Sequence, residues 1–424
     1  MDNAQSGATK AATFPSAATL RAEYVDLKCP CKPDEKVAHM TLMSAPAQPA
    51  GLPDVDFKEV DRLLDDGRTL PPQFYVDPAI AELEDRLIFR TSWQLACTEL
   101  ELKQPGDFVT LTLSGVPLVV VRDTEHQIRA LVNVCRHRAG RVVEAPDGNC
   151  KRLQCQYHGW TYRLDGSLQG APGFREGLPP FETLGLRSVS VDTWRGFVFV
   201  SLEPKQSLQE QLGEVPRVME EAGYDFPFAA GGADGLEAAG DYVADMQANW
   251  KLYHENNSDC YHCPTTHQDS FCRILNSSGI HFEPLNGGSS FSYLPLSDEL
   301  LAMCPSDEDR RKLGYVQYII WPNTYVITGH VGELWFRLDP HGPGVTHVVG
   351  RVYRRPGQQS AEMTAILDEA SRATVLEDKA MIEGVQIGLA SGYYEPGPTL
   401  PGREEAVRRL QRDIWNALRP VFTT

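Results

Sequence analysis

The chain has 424 residues, 42% hydrophobic and 23% charged, which is the balance of a globular protein with material for about two or three domains. A formal charge of −17 argues against nucleic acid or an anionic membrane surface as partner. No apolar run approaches the ~18 residues that cross a bilayer, and the N-terminus lacks the basic-then-apolar order of a secretory signal. Ten cysteines in such a chain read as reduced thiols or metal ligands, with the cytoplasm as the expected location.

Residues 1–50 are rich in Ala, Pro, Ser and Thr and read as a disordered extension. Cys29 and Cys31, with His39 nearby, lack the second half that a zinc site needs. A transit peptide is disfavoured by Asp2, Glu23 and Asp26. A helical lead-in is assigned to 51–90: FKEVDRLLDDG forms an amphipathic helix ended by Gly67, and a second helix covers 78–89. From Phe108 the pattern turns to short β-type runs, FVTLTL, PLVVVR and IRALVNV, separated by turn residues. TYRL and SLQ flank Asp165-Gly166, which predicts a type I′ hairpin. GFVFVSL closes a β block assigned to 91–205. In the remaining 206–424, a helix is expected over 207–222, a Gly/Ala-rich junction over 229–240, and a helix in NWKLYHEN. A mobile loop follows over 274–292, then strands YVQYIIW, TYVITGH, ELWFRL and THVVGRVYRR, and helices over 361–389 and 403–418.

Two stretches carry metal chemistry. DCYHCPTTH (259–267) offers His262 and His267, with Asp259 three residues ahead of the first and therefore on one face of a helix. Pro264 would disturb that helix and re-aim His267. Two imidazoles and a carboxylate from elsewhere make the facial triad that holds non-haem Fe(II) with open positions. Upstream, Cys135-Arg136-His137 and Cys155-Gln156-Tyr157-His158 are separated by seventeen residues. Two thiolates on one iron and two imidazoles on the other make a [2Fe–2S] centre of Rieske type, with a potential raised by its neutral ligands. Two Cys and two His could also hold structural zinc, but CRHRAG and CQYHGWTY lie in a meander with no zinc-finger helix. Cys97, Cys150, Cys272 and Cys304 read as ordinary free thiols.

With WQLACTELELKQPGDF, NVCRHRAG, CQYHGWTYRLDGSL, NWKLYHENNSDCYHCPTTH, WPN and EDKAMIEGVQIGL, the chain resembles the large (α) subunit of the Rieske non-haem iron oxygenases from about residue 70 onward. The resemblance implies an α+β fold in which a Rieske β domain precedes a helix-grip catalytic domain with an antiparallel sheet. It makes Cys135, His137, Cys155 and His158 the cluster ligands, and His262, His267 and Asp378 the ligands of a mononuclear Fe(II). Glu377 and Glu383 compete with Asp378, but side chains at 377 and 378 point about 100° apart on a helix, so only one can face the iron. A separate NAD(P)H-dependent flavin and iron–sulfur reductase is implied, with O₂ and a small molecule as substrates. Also implied is a head-to-tail homotrimer in which electrons pass between subunits. Asp259 is expected at that junction, accepting a hydrogen bond from His262 and reaching His158 of the adjacent subunit.

The ENxxDCYHCPxxH wording resembles the branch acting on betaines, choline and carnitine, which implies N-demethylation or hydroxylation beside the nitrogen. Tyr293, Trp321, Tyr325, Trp335 and Phe336 are candidates for a cation–π cage. Hydroxylation of an aromatic acid is the alternative. An electron carrier without chemistry of its own would need only the β block, roughly a hundred residues.

Overall fold

The computed structural model describes residues 53–174, 180–222, 236–303, 314–329, 332–354 and 361–423. The N-terminal extension, Cys29, Cys31, His39, Cys304 and most of the 229–240 junction lie outside them. No helix among the described residues is long and apolar enough to cross a membrane.

The lead-in helices form where caps and apolar spacing dictate. Helix α1 (Phe57–Asp65) starts at Asp56, whose carboxylate accepts from the N–H groups of Lys58 and Glu59, and it buries Val60, Leu63 and Leu64. It ends ahead of Gly67, at φ +70°, where a Cβ would lie 2.7 Å from the Arg408 guanidinium. After α2 (Gln73–Val76), helix α3 (Pro78–Glu84) is capped by Asp77 and passes into a π turn at Asp85–Phe89, together covering the expected 78–89.

The β block is a seven-stranded antiparallel sheet. Its strands are β1 (Gln94–Thr98), β2 (Asp107–Leu113), β3 (Val116–Arg122), β4 (Ile128–Val132), β5 (Asp147–Asn149), β9 (Ser188–Trp194) and β10 (Phe197–Ser201). Their order is β1-β10-β9-β4-β3-β2-β5. A small sheet of β6 (Leu153–Gln154), β7 (Thr161–Tyr162) and β8 (Leu168–Gly170) stands beside it. The continuous apolar runs follow from burial on both faces. In β3, Leu118 and Val120 enter one cluster, and Val119 and Val121 another. In β10, Phe197 and Phe199 separate from Val198 and Val200 in the same way.

The β7–β8 turn differs from expectation. Gly166 is at φ +88° but Asp165 is not left-handed, so the turn is not type I′. Arg163 O accepts from Gly166 N–H, Ser167 O accepts from Arg163 N–H, and the Asp165 carboxylate accepts from Ser167 N–H. This is a type I turn with a glycine bulge. The aspartate holds its own downstream backbone and has no need of positive φ.

The expected helix over 207–222 is two, α4 (Leu208–Leu212) and α5 (Val215–Glu221), broken at Gly213 (φ +51°). Strand β11 (Glu237–Met246) occupies the end of the supposed junction. Three helices follow: α6 (Trp250–Asn256), α7 (Cys263–Thr266) and α8 (Phe271–Ile274). The 274–292 stretch, expected as a loop, instead includes β12 (His281–Pro284), which pairs with β13 (Ser290–Pro295) across Gly287 and Gly288. Helix α9 (Asp298–Met303), strands β14 (Gly314–Ile320), β15 (Thr324–Gly329), β16 (Gly332–Pro340) and β17 (Thr346–Arg354), and helices α10 (Ala361–Ala390) and α11 (Glu405–Leu418) complete the chain.

The second sheet is antiparallel throughout, in the order β11-β17-β16-β15-β14-β13-β12. One face, with Ile319, Tyr325 and Phe336, is covered by α1–α3, α6, α10 and α11. The other, with Val316, Tyr318, Val326 and Trp335, packs on Leu95, Phe197 and Phe199 of the first sheet. Helices grip one side of an antiparallel sheet and a β domain backs the other, which is the α+β arrangement expected.

Candidate metal centres

Two loops with the same hydrogen-bond scheme carry the Cys/His pairs. In the first, Cys135 N–H donates to Gly140 O (2.8 Å) and Ala139 N–H to Cys135 O (3.0 Å). In the second, Cys155 N–H donates to Trp160 O (2.9 Å) and Gly159 N–H to Cys155 O (3.0 Å). Ala139 and Gly159 both take positive φ. The loops close on each other: the His137 and His158 rings are 4.6 Å apart, and His137 stacks on Trp160 at 5.0 Å. A Cβ on Gly140 would lie 3.3 Å from Cys155 Sγ. Burial first, and then the neighbouring Cys135 thiol, push the Cys155 thiol up.

His137 Nδ1 is buried with no hydrogen-bond partner. An orphaned ring nitrogen beside two buried thiols and a second, exposed imidazole fits a cluster bound by two sulfurs and two nitrogens. Tyr162 supports one thiol, its hydroxyl lying 3.3 Å from Cys135 Sγ and 3.0 Å from Arg136 N.

The second centre is built from three elements. Helix α6 is anchored before it reaches the site. Asn249 caps it, and Glu84 takes both Trp250 Nε1–H (2.9 Å) and the buried Lys251 ammonium (2.6 Å). The Glu255 carboxylate accepts from Tyr75 (2.6 Å) and Gln411 (2.8 Å). Burial pushes the Glu255 carboxyl up to about 7, against the opposing pull of those hydrogen bonds and of Lys251.

Asp259 and His262 do meet, at 3.0 Å, but not on a helix face. Helix α6 ends at Asn256, and Asp259 instead accepts from Tyr261 N–H and folds the chain into a turn. Pro264 breaks nothing either. It sits in the first turn of α7, where its missing N–H has no cost. Within that turn Cys260 and Cys263 are disulfide-bonded. This departs from the expectation of reduced thiols, which holds for Cys97, Cys150 and Cys272.

One ligand atom each from His262, His267 and Asp378 lies within 4.8 Å of the others, the one such group among the described residues. Asp378 Oδ1 is 2.9 Å from His267 Nε2 and 3.7 Å from His262 Nε2. Since a carboxylate only accepts, His262 carries its proton on Nδ1 towards Asp259 and turns the Nε2 lone pair inward. His267 lies between two carboxylates, with Nδ1 2.7 Å from Glu377. Burial lowers its pKa, but Asp378 and then Glu377 outweigh burial and raise it. Two nitrogens and a carboxylate oxygen converging on one point fit non-haem iron.

The competing carboxylates stand elsewhere. Glu377 holds the far nitrogen of His267 and accepts from Ser270, while Glu383 pairs with Lys379 (2.8 Å) and accepts from Gln247 N–H. Sequence reasoning placed Glu377 only as a rival ligand and missed Ser270 and Asn256. The rule that a metal-bound histidine needs a partner on its other nitrogen pointed to some carboxylate near His267.

The five aromatic residues do not make one cage. Tyr325 stacks on Phe336 at 4.4 Å within the helix-covered face, and Trp335 enters the cluster on the opposite face, with Tyr293 packed against it.

Residues 92–190 match the family described as the Rieske [2Fe-2S] domain, and residues 233–419 the ring hydroxylating alpha subunit (catalytic domain). The chain carries, in order, the Rieske domain and the catalytic domain that these two families describe. It is 34% identical over 216 residues to the glycine betaine monooxygenase oxygenase subunit of Pseudomonas aeruginosa, covering 50% of this chain and 48% of that one. That alignment thus spans about half the relative's length. With the carnitine monooxygenase oxygenase subunit of Acinetobacter baumannii it shares 29% over 344 residues, covering 80% of this chain and 90% of the relative. The fold is that of the quaternary ammonium Rieske monooxygenase CntA, solved with an inhibitor. The TM-score is 0.73 at 23% identity, covering 85% of this chain and 98% of CntA.

Proposed function

We propose that this chain is the oxygenase component of a Rieske system that demethylates or hydroxylates a small quaternary ammonium compound with O₂. Electrons come from a separate NAD(P)H-dependent reductase. The reading is carried by the pairing of a Cys/His cluster site with a two-histidine, one-aspartate site in one chain. Its substrate class is supported by relatives named for betaine and carnitine, one of them matched over nine-tenths of its length.

When bound, the cluster supplies single electrons and the mononuclear iron the site of oxygen activation. The ligands of the cluster are Cys135, His137, Cys155 and His158, and those of the iron are His262, His267 and Asp378. Asp259 and Glu377 each accept from Nδ1 of one histidine, which fixes both tautomers and leaves both Nε2 atoms for the metal. Asp259 also bridges, in a head-to-tail trimer, to His158 of the adjacent subunit; exposure of His158 supports this. The chain has three parts after its N-terminal extension: a helical lead-in, the Rieske domain over 91–205 and the catalytic domain over 206–424.

The test is a product screen with a reductase, NADH and O₂ over betaines, carnitine, choline and aromatic acids. Formaldehyde or an N-adjacent alcohol, formed in step with NADH oxidation, is expected from a quaternary amine. Turnover of an aromatic acid in preference to every quaternary amine would replace the substrate class. Three irons per chain are expected; two would leave only an electron carrier.

A further inference from the structure

Asn256 is the last residue of α6, and its side chain reaches into the mononuclear site. Its Nδ2 lies 3.1 Å from Asp378 Oδ1 and 3.4 Å from His262 Nε2, the atoms that converge on the metal position. The neighbours themselves orient the amide. Asp378 can only accept, and His262 with its proton on Nδ1 presents a lone pair at Nε2, so the NH₂ group must face both. The rotation of α6 that puts Asn256 there is set by Glu84 on Trp250 and Lys251 and by the Tyr75 and Gln411 bonds to Glu255 one residue earlier.

We propose that Asn256 is a positioning residue of the mononuclear centre, fixing the rotation in which the Asp378 carboxylate faces the metal position. The inference rests on the reading of His262, His267 and Asp378 as iron ligands. Its amide N–H occupies one lone pair of Oδ1 and fixes the rotation of the carboxylate. The carboxylate so held keeps its remaining lone pairs available to an ion at the point where the two histidines converge. When Nε2 of His262 turns its lone pair to the metal, the bond to Asp378 is the one that Asn256 keeps.

The test measures metal binding apart from turnover, on full-length protein. Asn256→Leu keeps the shape and removes the donor, and Asn256→Ala is a second variant should leucine crowd the site. Fe(II) affinity is read by chelator competition, coordination by the visible absorption of the Co(II)-substituted protein, and folding by the Rieske EPR signal. The donor's loss should weaken Fe(II) about 10–100-fold. It should also shift the Co(II) bands, because a carboxylate free to rotate alters the ligand field, with the Rieske signal unchanged. A helix-end role alone would lower the melting temperature and leave affinity and Co(II) spectrum as in wild type, which overturns the proposal. His262→Ala is the control: if it binds Fe(II) as tightly as wild type, the reading of the triad fails and the proposal with it. If only the Asn256 variants match wild type, the proposal alone falls.

Discussion

The two centres are built in opposite ways. Each half of the cluster site is one short loop that closes on its own backbone, Cys135 on Gly140 and Cys155 on Trp160. The mononuclear site is assembled from a turn after α6 and from Asp378, more than a hundred residues later on α10, and it depends on the anchoring of both helices. A site written in contiguous residues should tolerate change elsewhere. One assembled from distant elements should respond to substitutions that touch no ligand. Asp378→Ala gives the largest expected effect: the mononuclear iron and turnover are lost while the Rieske EPR signal persists. His137→Ala should do the converse to the signal. Loss of both centres in either variant would show that the two centres are not independent.

Next comes the link between the centres. Asp259→Ala should leave the Rieske cluster intact and weaken Fe(II) about 10–100-fold, since His262 loses its partner on Nδ1. With excess iron supplied it should still lose nearly all turnover, as the proposed bridge to His158 requires. Co-expressing His158→Ala and Asp378→Ala subunits, each inactive alone, should restore part of the activity in mixed trimers. Demonstrably mixed but inactive trimers would confine transfer to one chain.

A smaller effect is expected one step out. Glu377→Gln leaves His267 in place but weakens the acceptor on its Nδ1, which should lower Fe(II) affinity about 10–100-fold by chelator competition. An unchanged affinity would mean that Ser270 and packing alone hold the ring.

The last effect is on stability and leaves both centres in place. The Glu255 carboxyl, ordinarily near 4.5, is raised to about 7 by burial. The folded state therefore holds this proton more tightly than the unfolded chain, and the associated stability is complete below pH 4.5 and lost as pH rises through about 7. The rise from 4.5 to about 7 sets an upper limit of about 3 kcal/mol. Denaturant melts from pH 5 to 8 should show this loss in wild type and not in Glu255→Gln. Parallel curves would place the cost on another group.

Much of this was legible because it is local. The Cys/His loops, the first helix with its stop at Gly67 and the β-type runs from Phe108 follow from neighbouring residues and from the spacing of apolar positions. Where local reading failed, a competing local bond won. Asp165 and Asp259 each captured a backbone N–H and made a turn where an I′ hairpin and a helix were expected. The aromatic cage failed for a different reason. Spacing cannot tell which face of a central strand meets which layer, and both faces of this sheet are covered.

By itself, the sequence determined which residue types could hold metal, their spacing within each motif and the alternation of strands and helices, since these depend on chain geometry over a few residues. Only the tertiary structure decided which carboxylate faces the two histidines. Asp378, Glu377 and Glu383 share one helix, and that helix is rotated by contacts from elsewhere. Lys379 reaches the β11 backbone, Gln386 takes Asn249 N–H, and Ile382 and Leu389 are buried against the core. Those contacts turn Asp378 to the metal position and Glu377 to the outer nitrogen of His267. The energy that sets the rotation is spread over residues too far apart in the chain for any motif to record.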